Sequence, residues 1–104
     1  MRFQLWLKYN QHTFWNTTKD YIKEGEGKNT IELSRPYGGI QFVDMREPTV
    51  QDLLTAELQS KGKSNAEQEI TMFANLCEIE PDFIKGLGLR DYGRIQDSYR
   101  LFIS

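Results

Sequence analysis

Few side chains in this sequence have the types and spacing that catalysis or metal binding needs. It contains one histidine, His12, and one cysteine, Cys77. A structural zinc site needs about four histidine or cysteine ligands, and an internal disulfide needs a second cysteine. A serine or cysteine nucleophile activated by histidine would have to use His12, which lies in a segment without clear periodicity. The sequence therefore predicts neither nucleophilic catalysis nor a structural metal site.

Two further patterns that can carry chemistry have simpler structural explanations. Carboxylates two positions apart occur at Glu67 and Glu69 and at Glu78 and Glu80. Their helix faces are otherwise polar, which is typical of solvated surface charge and not of general acid–base catalysis. Gly38-Gly39 and Gly86-Leu87-Gly88 lack the strand–loop–helix context of a phosphate-binding loop, so we interpret them as turns and caps. We expect no enzyme activity and no cofactor.

The composition is that of a single small domain. The chain has 104 residues, 38% apolar and 27% charged, and a net charge of −2. Residues 30–104 carry eight basic and twelve acidic side chains, a net charge of −4, whereas a nucleic-acid-binding surface usually has a basic excess. No apolar run reaches 18 residues, and the N-terminus lacks a leader pattern. We expect a cytoplasmic protein that binds neither nucleic acid nor a membrane.

The chain divides near residue 30. Residues 1–29 form an aromatic-rich extension, in which the alternation from Phe3 to Tyr9 weakly favours a strand. The charged, glycine-containing segment 23–28 is interpreted as a loop or hinge. Residues 30–104 are predicted to form the main domain.

The main domain begins with a predicted β-hairpin. Ile31 and Leu33 alternate with polar residues, and so do Ile40 and Phe42. The intervening segment 35–39, Arg-Pro-Tyr-Gly-Gly, has the composition of a tight turn. A two-stranded hairpin is marginally stable alone, so it must pack against the helices that follow.

Helix-capping signals predict up to four helices after the hairpin. Thr49 and Asp52 begin the first helix, Ser64 and Glu67 the second, Pro81 a short third helix and Gly88 the last. Apolar residues spaced three and four apart give three of the helices an apolar face: Val50, Leu53, Leu54 and Leu58; Ala66, Ile70, Phe73, Leu76 and Cys77; and Tyr92, Ile95, Tyr99 and Phe102. The predicted fold is α+β, an N-terminal β-hairpin packed on a C-terminal bundle of three to four short helices.

Most of these apolar side chains are interpreted as core. However, three amphipathic helices and the aromatic N-terminal segment offer more apolar surface than one small core is expected to bury. Some of them are therefore predicted to contact a partner, and the candidates are Leu54, Leu58, Phe73, Tyr92, Tyr99 and Phe102.

Four segments between Thr30 and Phe102 carry a resemblance to a known family. They are Ile31 to Pro36, with Leu-Ser-x-Pro; Met45 to Leu54, with Arg-Glu-Pro-Thr; Glu67 to Leu76; and Leu87 to Tyr92, with Leu-x-Leu-x-Asp-Tyr. In this order they resemble the small tail assembly chaperones of Mu-like contractile-tailed phages. Arg46 and Glu47 in the most specific segment are expected mainly to fix the entry of the first helix through ion pairs and capping.

The resemblance implies a non-enzymatic protein that binds the hydrophobic tape measure protein, keeps it soluble before the tail tube forms around it, and is absent from the mature virion. It also implies a longer product, made by translational frameshifting, whose extension recruits the major tail tube protein. Two other classes stay open, a small helical DNA-binding regulator and a structural tail subunit. The sequence does not fix the oligomeric state, and a homo-oligomer is one alternative.

Overall fold

A computed structural model of the chain describes residues 20–104, and the predicted alternation from Phe3 to Tyr9 lies outside them. Three strands precede four helices in chain order. They are β1 (Ile22–Gly25), β2 (Lys28–Tyr37), β3 (Ile40–Arg46), α1 (Val50–Gln59), α2 (Asn65–Cys77), α3 (Pro81–Lys85) and α4 (Leu89–Ile103). The α+β class is therefore confirmed.

The β-structure is a three-stranded antiparallel sheet in the order β1-β2-β3. Gly38 and Gly39 join β2 to β3 with φ values of 57° and 81°, the conformation of a two-residue hairpin turn that favours glycine. The interpretation of segment 23–28 as a hinge is wrong, because these residues form β1, its turn and the first residue of β2. The boundary predicted between residues 29 and 30 falls within β2, and the division into an extension, 1–29, and a main domain, 30–104, stays a prediction.

One face of the sheet is buried and contributes side chains to the hydrophobic core. Ile31 pairs with Val43 and Asn29 with Met45, and all four side chains are buried. The neighbouring pair, Glu32 and Phe42, points to the opposite face, as strand alternation requires. The pairing shifts between Glu32 and Tyr37, so the Leu-Ser-Arg-Pro segment departs from the regular ladder.

The predicted helix starts are confirmed at the two capped helices. Thr49 and Asp52 form a reciprocal capping box at α1, and the Ser64 side chain accepts a hydrogen bond from the Glu67 backbone N–H at α2. Helix α1 ends at Gln59, with Ser60 as its C-cap residue. Helix α2 ends at Cys77, and its C-cap residue Glu78 adopts a left-handed conformation with φ of 55°.

The helices cover the sheet unequally. Helix α4 packs across β2 and α2 packs against β3, whereas the main packing partner of α1 is α2. Phe73 of α2 is at the centre of this core, 1% exposed, with the Tyr92 and Tyr99 rings of α4 at 5.9 and 5.4 Å. Among the described helices, none is both long and apolar enough to span a bilayer.

Candidate functional site

Helix α1 presents large apolar side chains to solvent. Val50 and Leu58 are 75% and 74% exposed, and Leu53 and Leu54 are about half exposed. Their spacing along α1 places them on one face of the helix, which we name the α1 stripe. Exposed apolar side chains at helical spacing are typical of surfaces that bind a partner.

The opposite face of α1 explains why the stripe remains exposed. Ala56 and Ser60, four residues apart, are 3% and 1% exposed. Ala56 is the buried residue of α1 and Ser60 is its buried C-cap residue, and Gln59 accepts a 2.8 Å hydrogen bond from Asn75 of α2. Because α1 packs through small residues, its large apolar residues lie on the surface.

A groove of about 170 Å³ runs beside the stripe, between α1 and α2. Leu53 belongs to both the stripe and the groove wall, and Phe73 and Tyr99 contribute to the lining. The other lining residues are Ala56, Glu57, Gln68, Glu69 and Met72. The stripe and this groove meet at Leu53, and Glu57, Gln68 and Glu69 add polar groups to the apolar lining of the groove.

The orientation of α1 is fixed at its first turn by an ion pair. Both terminal nitrogens of Arg46 lie 2.8 Å from Asp52 oxygens, and Asp52 also accepts a 2.8 Å hydrogen bond from the Thr49 backbone N–H. The Arg46 guanidinium holds the pKa of Asp52 well below its usual range, and the same bond raises the pKa of Arg46. Arg46 thus has the local role at the helix entry that was predicted for it.

The six predicted partner-binding residues do not form one surface. Leu54 and Leu58 lie on the α1 stripe, whereas Phe73 is buried in the core. Tyr92, Tyr99 and Phe102 of α4 are partly buried and pack against that core. The Tyr92 hydroxyl donates to Glu69, and its pKa is raised by burial and then by this bond. Contact of the six with a partner stays a prediction.

The structure adds Val50 and Leu53 to the candidate surface. Their periodicity was visible in the sequence, but apolar periodicity does not say which face of a helix is buried. The signal that distinguishes the faces is the pair of small residues Ala56 and Ser60, which permits the closest approach to a neighbouring helix. Both residues are small, so neither belongs to the pattern of large apolar side chains that predicts the helix face.

A second surface lies where β2 approaches the start of α4, and we name it the β2–α4 groove. It has a volume of about 500 Å³ and is lined by Ser34, Arg35, Pro36, Tyr37, Gly86, Leu87, Gly88, Leu89, Arg90 and Asp91. Two of the four segments that carry the family resemblance therefore meet here. The Ser34 backbone N–H donates to Asp91 Oδ1 at 2.7 Å, and Asp91 is 4% exposed.

Tyr37 forms a fixed wall of the β2–α4 groove. Its ring packs edge-on against Phe83, with ring centroids 5.1 Å apart. A Cβ atom at position 86 would lie 1.9 Å from the Tyr37 hydroxyl oxygen, so any other residue there would displace the Tyr37 side chain from this position. Gly86 is thus needed for steric reasons, beyond its predicted role as a helix end.

Among the described residues, the cysteine and the closely spaced glutamates that could carry chemistry are buried or paired with other side chains. Burial raises the pKa of the Cys77 thiol to about 12, so the reactive thiolate is scarce at neutral pH. Glu67 pairs with Lys85 at 3.3 Å, and Glu69 accepts from Tyr92. Within residues 20–104, no three histidine, cysteine, aspartate or glutamate side chains are arranged to hold a metal ion. The described surfaces are suited to binding a partner.

Over residues 30–104 the chain matches the family described as phage tail assembly chaperone proteins, E, or 41 or 14. The chain belongs to this family, since the match covers well over half of its length. Membership implies that the partner is a tail protein. Neither the curated proteins nor the solved structures compared with the chain include a match.

Proposed function

We propose that this chain is a non-enzymatic chaperone that binds the tape measure protein through the α1 stripe and keeps it soluble until tail tube assembly begins. The observation that carries this proposal is the exposure of four large apolar side chains on a helix whose other face belongs to the core. Family membership supports the general role, and the stripe supports an apolar client.

An amphipathic helix is the client structure that the stripe suits best. Side chains at positions 50, 53, 54 and 58 form a ridge, and the neighbouring groove of about 170 Å³ can accept one or two apolar side chains of a second helix. Burial of a leucine side chain contributes about 1.5 to 3 kcal/mol, so several such contacts give useful but reversible affinity after the cost of association. Reversible binding is what a chaperone displaced by the assembling tube requires.

The cellular setting follows from this role. The chain acts in the bacterial cytoplasm, where the tape measure protein is made, and leaves before the virion is complete. A longer frameshifted product that recruits the major tail tube protein belongs to the same proposal. The net charge of −4 on residues 30–104 favours a protein client over DNA.

Co-expression with the tape measure protein encoded with it tests this function. We expect the client to stay soluble and to co-purify with the wild-type chain. The double variant Leu54→Ser and Leu58→Ser should lose both effects while remaining folded, because both side chains are already exposed. Ile103→Ser is the matched control, since Ile103 is a 59% exposed apolar residue on another helix and should retain the client.

The outcomes separate the role from the surface. If the wild-type chain neither binds nor solubilises the tape measure protein, the proposed client is wrong. If the double variant works as well as the wild type, the client binds, but not through the α1 stripe. Retention of the protein in purified virions would favour a structural tail subunit instead.

A further inference from the structure

We infer that the β2–α4 groove is a second docking surface, which binds an acidic segment of a protein partner with an apolar side chain between its carboxylates. This inference goes beyond the proposed function, because the groove shares no lining residue with the α1 stripe or with the groove between α1 and α2.

Two cations that have no partner in the described part of the chain give the groove its positive charge. Arg35 and Arg90 both line it and are exposed. Within residues 20–104, neither side chain has an ion-pair or hydrogen-bond partner, whereas each of the other arginines there has one: Arg46 with Asp52, Arg94 with Asp91, and Arg100 with Asp97. Residues 30–104 as a whole carry twelve acidic side chains, but these two arginines have no partner within residues 20–104. They make the groove electrostatically complementary to carboxylates.

The acidic residue at the groove does not cancel this charge from the solvent side. Asp91 is buried, and its Oδ1 accepts the Ser34 N–H at 2.7 Å and lies 3.9 Å from Arg94 Nε. Its charge is therefore directed into the junction between β2 and α4. The carboxylates of an incoming segment would meet Arg35 and Arg90 at the exposed rim.

Apolar side chains line the groove together with the two arginines and supply an anchor point. Leu89 is 87% exposed and Tyr37 is 39% exposed, and Leu87 is partly buried in the same groove. A volume of about 500 Å³ has room for a few side chains of an extended segment. Tyrosine and arginine are also the residue types that most often dominate binding energy at protein interfaces.

The groove is preformed, which lowers the cost of binding. Arg94 Nη1 donates to the Glu32 carbonyl oxygen at 2.7 Å, and this bond, with the one from Ser34 to Asp91, fixes α4 against β2. Tyr37 is held by Phe83 and by its close approach to Gly86. A partner segment therefore orders few side chains of this chain when it binds.

A protein segment suits the groove better than a nucleic acid does. Two arginines match the carboxylates of a short peptide, whereas a phosphate backbone would continue past them over a surface with a net charge of −4. An acidic protein segment bound here would leave the α1 stripe free, so the chain would hold two partners at once.

Fluorescence anisotropy with short labelled peptides tests the inference on the full chain. The probe is a fluorescein-labelled peptide of alternating glutamate and leucine, compared with peptides in which glutamine replaces glutamate or serine replaces leucine. We expect the first peptide to bind most tightly and its affinity to fall with added salt. The double variant Arg35→Gln and Arg90→Gln should bind it at least about tenfold more weakly, which corresponds to roughly 1.4 kcal/mol.

A charge-matched control makes the test specific. The double variant Lys61→Gln and Lys63→Gln also removes two positive charges, but from an exposed turn that does not line the groove. It should leave peptide binding unchanged. The double variant Leu54→Ser and Leu58→Ser should also bind the peptide normally, so failure here is distinguishable from failure of the client proposal. Equal losses in both charge variants, or no loss in the arginine variant, would overturn the inference. Tighter arginine-dependent binding of a single-stranded oligonucleotide would replace it with a nucleic-acid site.

Discussion

The backbone N–H of Ser34 donates to the Asp91 carboxylate at 2.7 Å, across 57 positions of the sequence. This bond joins the irregular end of β2 to the first turn of α4. Removal of the buried Asp91 side chain leaves the Ser34 N–H without its acceptor. We expect Asp91→Ala to lower the free energy of unfolding by about 1.5 to 3 kcal/mol in urea denaturation.

Asp82 provides the comparison for this variant. It is exposed in the first turn of α3, and Asp82→Ala should change the free energy of unfolding by less than about 0.5 kcal/mol. Similar losses for the two variants would mean that the buried contact does not matter to stability.

The ion pair between Arg46 and Asp52, which we name the clamp, should make the free energy of unfolding depend on pH. Because the folded pKa of Asp52 is lowered, its contribution is present above the unfolded pKa of about 3.9 and is lost as the pH falls through the folded pKa. Asp52→Asn is expected to cost about 1 to 2 kcal/mol at pH 7. The difference from wild type should stay constant down to about pH 5 and shrink below about pH 4 in urea titrations.

The control for the clamp is a more exposed ion pair. Lys28 and Asp44 lie 3.5 Å apart with more than half of each side chain exposed, so Asp44→Asn should cost less than about 0.5 kcal/mol. A difference for Asp52→Asn that does not depend on pH would contradict the role of its charge.

Substitution of Phe73 should lower the free energy of unfolding far more than substitution of Leu58, although both residues were predicted to bind a partner. Phe73 is 1% exposed in the core, and Phe73→Ala is expected to cost about 3 to 5 kcal/mol. Leu58 is 74% exposed, and Leu58→Ser should change the free energy of unfolding by less than about 0.5 kcal/mol. Thermal unfolding followed by circular dichroism measures both, and a large loss for Leu58→Ser would mean that α1 packs in another orientation.

Glu78 occupies a backbone conformation that favours glycine. Its φ of 55° costs an L-residue roughly 1 to 2 kcal/mol, whereas glycine loses about 0.5 to 1 kcal/mol through its greater freedom in the unfolded chain. Glu78→Gly is therefore expected to stabilise the protein by about 0.5 kcal/mol, measured as a higher urea midpoint. Glu57→Gly, within α1, should instead destabilise it by about 1 kcal/mol, and stabilisation by both variants would rule out a backbone cause.

The buried thiol of Cys77 predicts slow alkylation. Burial, and after it the charge of Asp44, raises the pKa of Cys77 to about 12, so the thiolate stays scarce up to pH 9. We expect iodoacetamide to modify the native protein at least about a hundredfold more slowly than the chain unfolded in guanidinium, measured by mass spectrometry. Since the sequence has one cysteine, each modified molecule reports this site. Equal rates in the two states would show that the thiol is accessible.

Local signals made much of this fold predictable. The caps at Thr49 and Ser64 and the glycine turn at Gly38 and Gly39 act within a few residues, so their sequence patterns determine the structure directly. Strand β1 was missed because only Ile22 of its four side chains is buried and the rest is charged or glycine. Its pairing depends on β2, which an analysis of local composition does not include.

The candidate site was predictable only in part. Periodicity grouped Leu54 and Leu58 on one face of α1, but whether that face is buried depends on how Ala56 meets α2. Likewise, the β2–α4 groove depends on the contact of Ser34 with Asp91, which no spacing in the sequence reveals. These features arise from tertiary packing, which determines the environment of each residue.

The small residues that join α1 to α2 have a consequence for how this protein can diverge. Since Ala56 is the buried residue of α1 and Ser60 is its buried C-cap residue, the two most exposed residues of the stripe, Val50 and Leu58, have little part in folding. Mutations can accumulate there without loss of stability, so selection can adjust their size and polarity as the bound protein changes. The scaffold and the proposed binding surface are thus free to evolve at different rates.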